Sequence, residues 1–315
     1  KKYKVDPAYN RALTDQVITL TGTGTPYFLD PLTGEIEQAA EYVENGNGTV
    51  SIVLDELRAG CCKIVVITEN TAKFPAPGVY VTSVSADKSD YDIVRVDGKL
   101  MLRSAVAGDY VVTLSNGQKK TVTIQENGRT TDLSKNDIRL VIDSYGPTYP
   151  NASDMIDKRG IQTVDPSATT ITKVDFGSMP LTNWEAISAT PEQLSGMGVK
   201  SMKDVSGKGH YTLKFDWDGS DAYMMFAYGN DQVTGIIVNG TQVTAIDNMT
   251  DKIDLGGMLK AGENTIEIEL SSTLAGRATI ENDVLSDGGL NFGGTTYKEN
   301  GLSSVKLVSY EDASI

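Results

Sequence analysis

Two-residue alternation broken by Asn-Gly and Asp-Gly is what most limits the folds open to this chain. Tyr211, Leu213, Phe215 and Trp217 alternate with Thr212, Lys214 and Asp216, and Ile266, Ile268 and Leu270 alternate with Thr265, Glu267 and Glu269. Side chains of a strand point to opposite faces in turn, so such runs read as strands with one face in a core. Asp97-Gly98 separates Ile93–Val96 from Lys99–Leu102, Asn116-Gly117 separates Tyr110–Leu114 from Lys120–Ile124, and Asn239-Gly240 separates Ile236–Val238 from Gln242–Thr244. These dipeptides tolerate the positive φ angles of a type I′ turn, so each predicts a hairpin. Helical signals are short. Thr190-Pro191-Glu192-Gln193 offers an N-cap with proline at the first helical position and predicts a turn or two ending near Gly196. Leu255–Lys260 predicts a single turn stopped by Gly262. Many short strands between turn signals give an all-β protein of sandwiches or jelly rolls, not a parallel α/β sheet.

Charge and rare residues narrow the chemistry. Of 315 residues, 42 are acidic and 28 basic, a net charge of −14 that repels phosphate backbones, so nucleic acid is not an expected partner. His210 is the single histidine, and Cys61 and Cys62 are the two cysteines. A zinc site built from His and Cys lacks its usual ligands, and any catalytic triad would run through His210. We read His210 as a structural or solvent-facing residue at a strand start. Adjacent Cys61 and Cys62 read as strand residues facing opposite sides, a vicinal disulfide being strained. The longest aliphatic run, Ile64–Ile67, falls far short of the ~20 residues a spanning helix needs, so membrane insertion is not expected. The opening Lys1-Lys2-Tyr3 carries neither Met nor an apolar leader, and we expect a piece of a longer or processed protein. Scarce cysteine with abundant Gly, Thr, Ser, Asn and Asp suits a secreted or cell-surface bacterial β-protein.

Breaker clusters suggest where domains meet. Phe74-Pro75-Ala76-Pro77-Gly78 reads as a linker, and Tyr145–Asn151 as a second break, followed by a polar, aperiodic stretch from Ala152 to about Ser167. The expected domains are 1–75 and 76–150, two small immunoglobulin-like sandwiches or halves of one, and 151–315, a jelly roll.

Several stretches resemble one family. Val238-Asn239-Gly240 leads to Asp254, Leu259 and Gly262-Glu263-Asn264-Thr265-Ile266-Glu267-Ile268. This resembles the galactose-binding-like jelly roll of bacterial glycoside hydrolases, in which a strand ending in VNG precedes an L-x-x-G-x-N-x-I strand. Ser271–Arg277 resembles the T-T-L-x-N-R segment in C-terminal domains of large rhamnosidase-type hydrolases, with Gly276 in place of Asn. Tyr297–Leu307 resembles their closing Y-G-L-x-G-P-V-x-L strand, with Lys298-Glu299-Asn300 intervening and the Gly-Pro missing. Tyr27-Phe28-Leu29-Asp30-Pro31-Leu32-Thr33-Gly34-Glu35-Ile36 resembles the W/Y-D-P-x-T-G-E hairpin of the sandwich before that jelly roll. The resemblance covers about two-thirds of the chain and implies an accessory region. In those enzymes the catalytic barrel lies N-terminal to such domains, so their catalytic carboxylates have no positions here to map onto.

Sugar recognition needs an aromatic face and a few fixed polar groups. The candidates are Trp184, in the polar stretch Leu181–Glu185; Tyr228, beside Gly229-Asn230-Asp231 at a strand end; Asn230 and Asp231 themselves; Arg277; Asn291, in a glycine-rich stretch; and Tyr297. Each has a bland alternative: core packing for the aromatics, a salt bridge for Arg277. Trp217 continues a strand's apolar parity and reads as core. Asp216, Asp218 and Asp221 are candidate ligands for a structural calcium ion, although their spacing is not that of an EF-hand and a solvated acidic turn is the other reading. No nucleophile elbow, phosphate loop or dinucleotide fingerprint occurs. The expectation is a non-catalytic carbohydrate-binding or domain-supporting region of a secreted bacterial glycoside hydrolase, partnered by glycan and by the parent's N-terminal catalytic domain. The alternative is a structural spacer or adhesin module without glycan binding.

Overall fold

The structure is a computed structural model and describes residues 13–57, 62–145, 171–228, 232–244, 246, 252–272 and 300–315. It is almost wholly β, in several antiparallel sheets. The chain forms two compact units, one of Lys1–Thr130 with Val308–Ile315, the other of Thr131–Leu307.

The first unit begins with β1 (Leu13–Thr21), β2 (Thr25–Leu29), β3 (Ile36–Gln38), β4 (Tyr42–Glu44), β5 (Thr49–Leu57) and β6 (Ile64–Thr68). They make two three-stranded sheets, β1-β5-β4 and β3-β2-β6. Between them lie Tyr42, Val50, Ile52 and Leu54, with Phe28 and Val65 packed against that core. The β2–β3 hairpin is closed by its own polar residues. Asp30 Oδ1 accepts from the backbone of Leu32 at 2.7 Å and Thr33 at 3.3 Å, and Gly34 takes φ +76°. This is an Asx turn with glycine at the left-handed position, where a Cβ would be strained.

Next come β7 (Val81–Val84), β8 (Asp92–Val96), β9 (Lys99–Ser104), β10 (Gly108–Leu114) and β11 (Lys119–Ile124). Their core holds Val81, Ile93, Leu102, Tyr110, Val112 and Ile124. Asp97 and Gly98, at φ +49° and +75°, form the expected two-residue hairpin turn. Asn116-Gly117 does not. Only Gly117 has positive φ (+81°), and Leu114 N donates to Gln118 O at 2.8 Å. The loop is therefore three residues long, and the asparagine side chain accepts from Gln118 N instead of turning the backbone. A clamp ties this strand set to the preceding one. Glu41 accepts from Lys88 Nζ and from the Tyr91 hydroxyl, each at 3.0 Å, and the Lys88 ammonium lies 4.1 Å from the Tyr91 ring centre. The two small modules expected over 1–75 and 76–150 thus belong to one compact unit as far as Thr130.

The second unit contains β12 (Thr130–Asp132), β13 (Ile138–Ser144), β14 (Thr172–Met179), α1 (Pro191–Gly196), β15 (Gly207–Asp218), β16 (Ala222–Tyr228), β17 (Gln232–Val238), β18 (Thr241–Gln242), β19 (Lys252–Asp254), β20 (Ala261–Ser271) and β21 (Leu302–Ser309), β12 and β21 reaching across its limits. A six-stranded sheet, β14-β13-β15-β20-β17-β18, and a four-stranded sheet, β12-β21-β16-β19, contribute to one core. The alternation read from the sequence fills it. Tyr211, Leu213, Phe215 and Trp217 are 1–8% exposed, and Ile266, Ile268 and Leu270 at most 2%. Burying each aliphatic of this size contributes ~1.5–3 kcal/mol before chain entropy is set against it. Helix α1 has the capping box that its sequence announces: Thr190 Oγ1 accepts from Gln193 N, and Gln193 Oε1 accepts from Thr190 N.

The expected boundary at residue 150 moves. Strand β13, assigned by the sequence to the 76–150 module, pairs along its length with β15, and Ile138, Leu140 and Ile142 enter the second core. The other end moves as well. Strand β22 (Glu311–Ser314), expected in the jelly roll, pairs with β9 in the first unit. Arg103, 8% exposed, holds Asp312 through two 2.7 Å bonds and faces the Tyr310 ring at 4.1 Å, so the returning strand is pinned by a bidentate ion pair and a cation–π contact.

Candidate functional site

The corner that joins the two best-matched motif stretches is built from asparagines. Asn239 and Gly240 adopt φ +51° and +82°, the two-residue turn expected between β17 and β18. Asn264, 0% exposed, uses its full hydrogen-bonding capacity. Its oxygen accepts from Asn239 Nδ2 (2.7 Å) and Lys260 N (2.9 Å), and its amide donates to the Lys260 and Gly262 carbonyls (2.7 and 2.8 Å). Asn239 Oδ1 accepts in turn from Thr265 N. These residues make a structural corner of the sandwich.

On the outward face of the six-stranded sheet, near the end where β13 and β20 finish, charged groups from neighbouring strands meet. His210 Nε2 lies 3.1 Å from Asp143 Oδ2, and its Nδ1 lies 3.7 Å from Glu269 Oε2. Glu269 Oε1 accepts from Lys208 Nζ at 2.8 Å and from the Thr234 hydroxyl at 2.6 Å. Asp143 Oδ1 is buried without a hydrogen bond, with Lys173 Nζ 3.7 Å away. Strand alternation puts Lys208, His210 and Glu269 on one face, and register sets His210 opposite Glu269. Burial would raise the Glu269 pKa, but the bonds from Lys208 and Thr234 outweigh it and the net shift is downward. The bond to Glu269 holds Lys208 above its ordinary value. Both partners stay ionised near neutrality, so this pair is an ion pair and not an acid–base couple. The cluster can offer hydrogen bonds to a polar ligand. Asp143, Lys208, Glu269 and Thr234 were not singled out by sequence; their outward parity was visible, but the register that gathers them was not.

Trp184 sits elsewhere. It opens a 3₁₀ turn, Trp184–Ala186, and is 0% exposed. Its Nε1 donates to the Tyr211 hydroxyl at 2.7 Å, which also accepts from Leu302 N at 3.0 Å. A Cβ at Gly209 would come within 2.8 Å of the indole, and one at Gly301, at φ +103°, within 2.6 Å. Enclosed on these sides, Trp184 presents no face for a sugar, and the expectation of a stacking platform there is corrected to a core residue. Trp217, 4% exposed, is core as expected. Tyr228 ends β16, while Asn230, Asp231, Arg277, Asn291 and Tyr297 lie outside the described residues, as does Cys61. Cys62 is a free, exposed thiol.

Among the described residues no group of three or more His, Cys, Asp or Glu side chains is placed to hold a metal ion. Asp216 and Asp218 are outward on β15, and Asp218 Oδ1 accepts from the amide and hydroxyl of Ser220 at 3.0 and 2.6 Å. With Asp221 they form an acidic strand end and turn. No helix among the described residues is long and apolar enough to cross a membrane.

No protein-family model matches the chain, and no curated protein matches it by sequence. Among solved structures, a rhamnosidase from Novosphingobium sp. PP1Y is similar, with 16% identity and a TM-score of 0.44. The match covers 94% of this chain and 21% of that protein.

Proposed function

We propose that this chain is a non-catalytic accessory region of a secreted bacterial glycoside hydrolase, and that its second unit recognises carbohydrate. The observation that carries the reading is the Asn239–Asn264 corner. Two stretches that resemble the galactose-binding-like jelly roll come together there as the turn and buried amide of a β-sandwich. The ion-paired state of Lys208 and Glu269 suits that pair to hydrogen bonding with a polar ligand. Recognition would use strand-end groups, with Tyr228, Asn230, Asp231, Arg277, Asn291 and Tyr297 as candidate contacts and a catalytic domain of the parent chain as the covalent neighbour. Glycan arrays and affinity gels on the 315-residue chain, with and without calcium, test the recognition. Retention by a defined glycan supports it, and no binding at millimolar glycan refutes it. Reading the encoding gene upstream of Lys1 tests the accessory role, which fails if no glycoside hydrolase domain is encoded there.

A further inference from the structure

Asn-Gly occurs six times, at Asn45, Asn47, Asn116, Asn127, Asn239 and Asn300. The dipeptide that suits tight turns also has a chemistry of its own. Glycine has no side chain to shield its nitrogen, and that nitrogen can attack the carbonyl carbon of the preceding asparagine side chain. Four of the six pairs are held away from this reaction. Gly117 N donates to Leu114 O at 2.9 Å and Gly128 N to Ala105 O at 2.7 Å, so both attacking nitrogens are engaged. The Asn239 side chain is fixed at both ends, its amide by Met258 O and Asn264 Oδ1 and its oxygen by Thr265 N. Gly301 packs against the Trp184 indole, and the Asn300 carbonyl accepts from Trp184 N at 2.8 Å. The other two pairs share the turn between β4 and β5, where Gly46 N and Gly48 N make no hydrogen bond among the described residues. Their asparagines differ. Asn45 holds its amide nitrogen, the group that would have to leave, on Thr49 Oγ1 at 2.9 Å and Ser51 Oγ at 3.0 Å. Asn47 is exposed, and its Oδ1 accepts from the Thr49 hydroxyl at 2.6 Å. That donor is aimed at the oxygen on which negative charge develops as the nitrogen attacks, so it stabilises the tetrahedral intermediate. A Cβ at Gly48 would meet nothing within 4 Å, so water and base reach the site.

We propose that Asn47 is a self-modification site, at which the folded chain deamidates through a cyclic imide with the Thr49 hydroxyl as oxyanion donor. The Gly48 nitrogen gives its proton to solvent base and bonds to Asn47 Cγ. The Cγ–Nδ2 bond then breaks, and the amide nitrogen takes a proton from water and leaves as ammonia. A second water opens one of the two imide C–N bonds. The product is aspartate or, with the backbone rerouted through the side chain, isoaspartate. Either product adds one negative charge to an acidic chain. Isoaspartate also lengthens the backbone just before Gly48, whose carbonyl accepts from Gly22 N at 2.9 Å in the β1–β2 connection.

Incubating the 315-residue chain in mildly alkaline buffer, followed by peptide mapping with mass spectrometry, reads the six sites separately. In the folded chain Asn47 should deamidate roughly tenfold or more faster than any of the other five. In urea, where the turn and its hydrogen bonds are gone, the six rates should converge. Thr49→Val should slow the reaction at Asn47 roughly tenfold in the folded chain and leave the rate in urea unchanged. Thr49→Ser keeps the hydroxyl and should restore the folded-state rate. The proposal is overturned if another Asn-Gly pair outpaces Asn47 in the folded chain, or if folded Thr49→Val reacts as fast as the parent. The same ranking of sites in urea also overturns it, because sequence alone would then set the rates. Should Thr49→Val fail to fold, the ranking in the parent chain and the Thr49→Ser rate still decide.

Discussion

Replacing Tyr211 with phenylalanine isolates one hydroxyl. The ring stays, so no cavity opens, but the buried Trp184 Nε1 and Leu302 N both lose their acceptor. A buried donor left unsatisfied costs about 1–3 kcal/mol, so the pair should cost about 3 kcal/mol after partial relaxation. For a unit of this size that lowers the melting temperature by roughly 6–12 °C. The assay is selective, because the chain's two tryptophans, Trp184 and Trp217, both lie in the second unit. Urea unfolding followed by tryptophan fluorescence therefore reports that unit. Trp184→Phe deletes one of the two donors, so in the double variant the hydroxyl is needed by Leu302 N alone. The cycle should show a coupling of about 1 kcal/mol or more between the two sites. A Tyr211→Phe cost under about 0.5 kcal/mol, or strict additivity, would refute the claim that this hydroxyl organises the core.

Asn264→Ala strips four hydrogen bonds from a fully buried corner and should destabilise the second unit by about 3 kcal/mol or more, again read by urea unfolding. Glu41→Ala leaves Lys88 and the Tyr91 hydroxyl without their shared acceptor, side chains of the ion pair being 17% and 11% exposed; calorimetry should show a loss of about 2–3 kcal/mol confined to the first unit. The Glu269 pKa is lowered on folding from its ordinary 4.5, so the stability it contributes is complete above that value and lost as pH falls through the folded-state pKa. Melting curves between pH 6 and pH 3 should accordingly drop less steeply for Glu269→Gln than for the parent, and identical slopes would contradict the ion pair.

Local chemistry was readable where the determinants are adjacent in sequence. Asp97-Gly98 and Asn239-Gly240 specify their turns through two backbone angles each, and Thr190 and Gln193 lie within one helical turn. Asn116-Gly117 shows the limit. The same dipeptide entered a longer loop, in which Leu114 N donates to Gln118 O while Gly117 N donates to Leu114 O. Burial determined by distant partners was less legible still. The polar neighbours of Trp184 suggested exposure, while Tyr211, Gly209 and Gly301, which enclose it, are far along the chain. Ile138, Leu140 and Ile142 alternate in β13, but alternation states only that a face is buried, not against which sheet. The outward cluster was hidden for the same reason, since register brings His210 to Glu269 and no local pattern encodes it.

The return of β22 to β9 has a consequence for synthesis. Ribosomes deliver a chain from its N-terminus, and domains ordinarily fold in that order. Here the Arg103 guanidinium and the open edge of β9 emerge early, yet Asp312 and the strand that covers them follow the whole second sandwich. During translation the earlier module must wait, incomplete, while the later one forms. The second sandwich is the more autonomous of the two, and a premature stop shortly before Tyr310 would cripple a region completed, by residue count, some two hundred positions earlier.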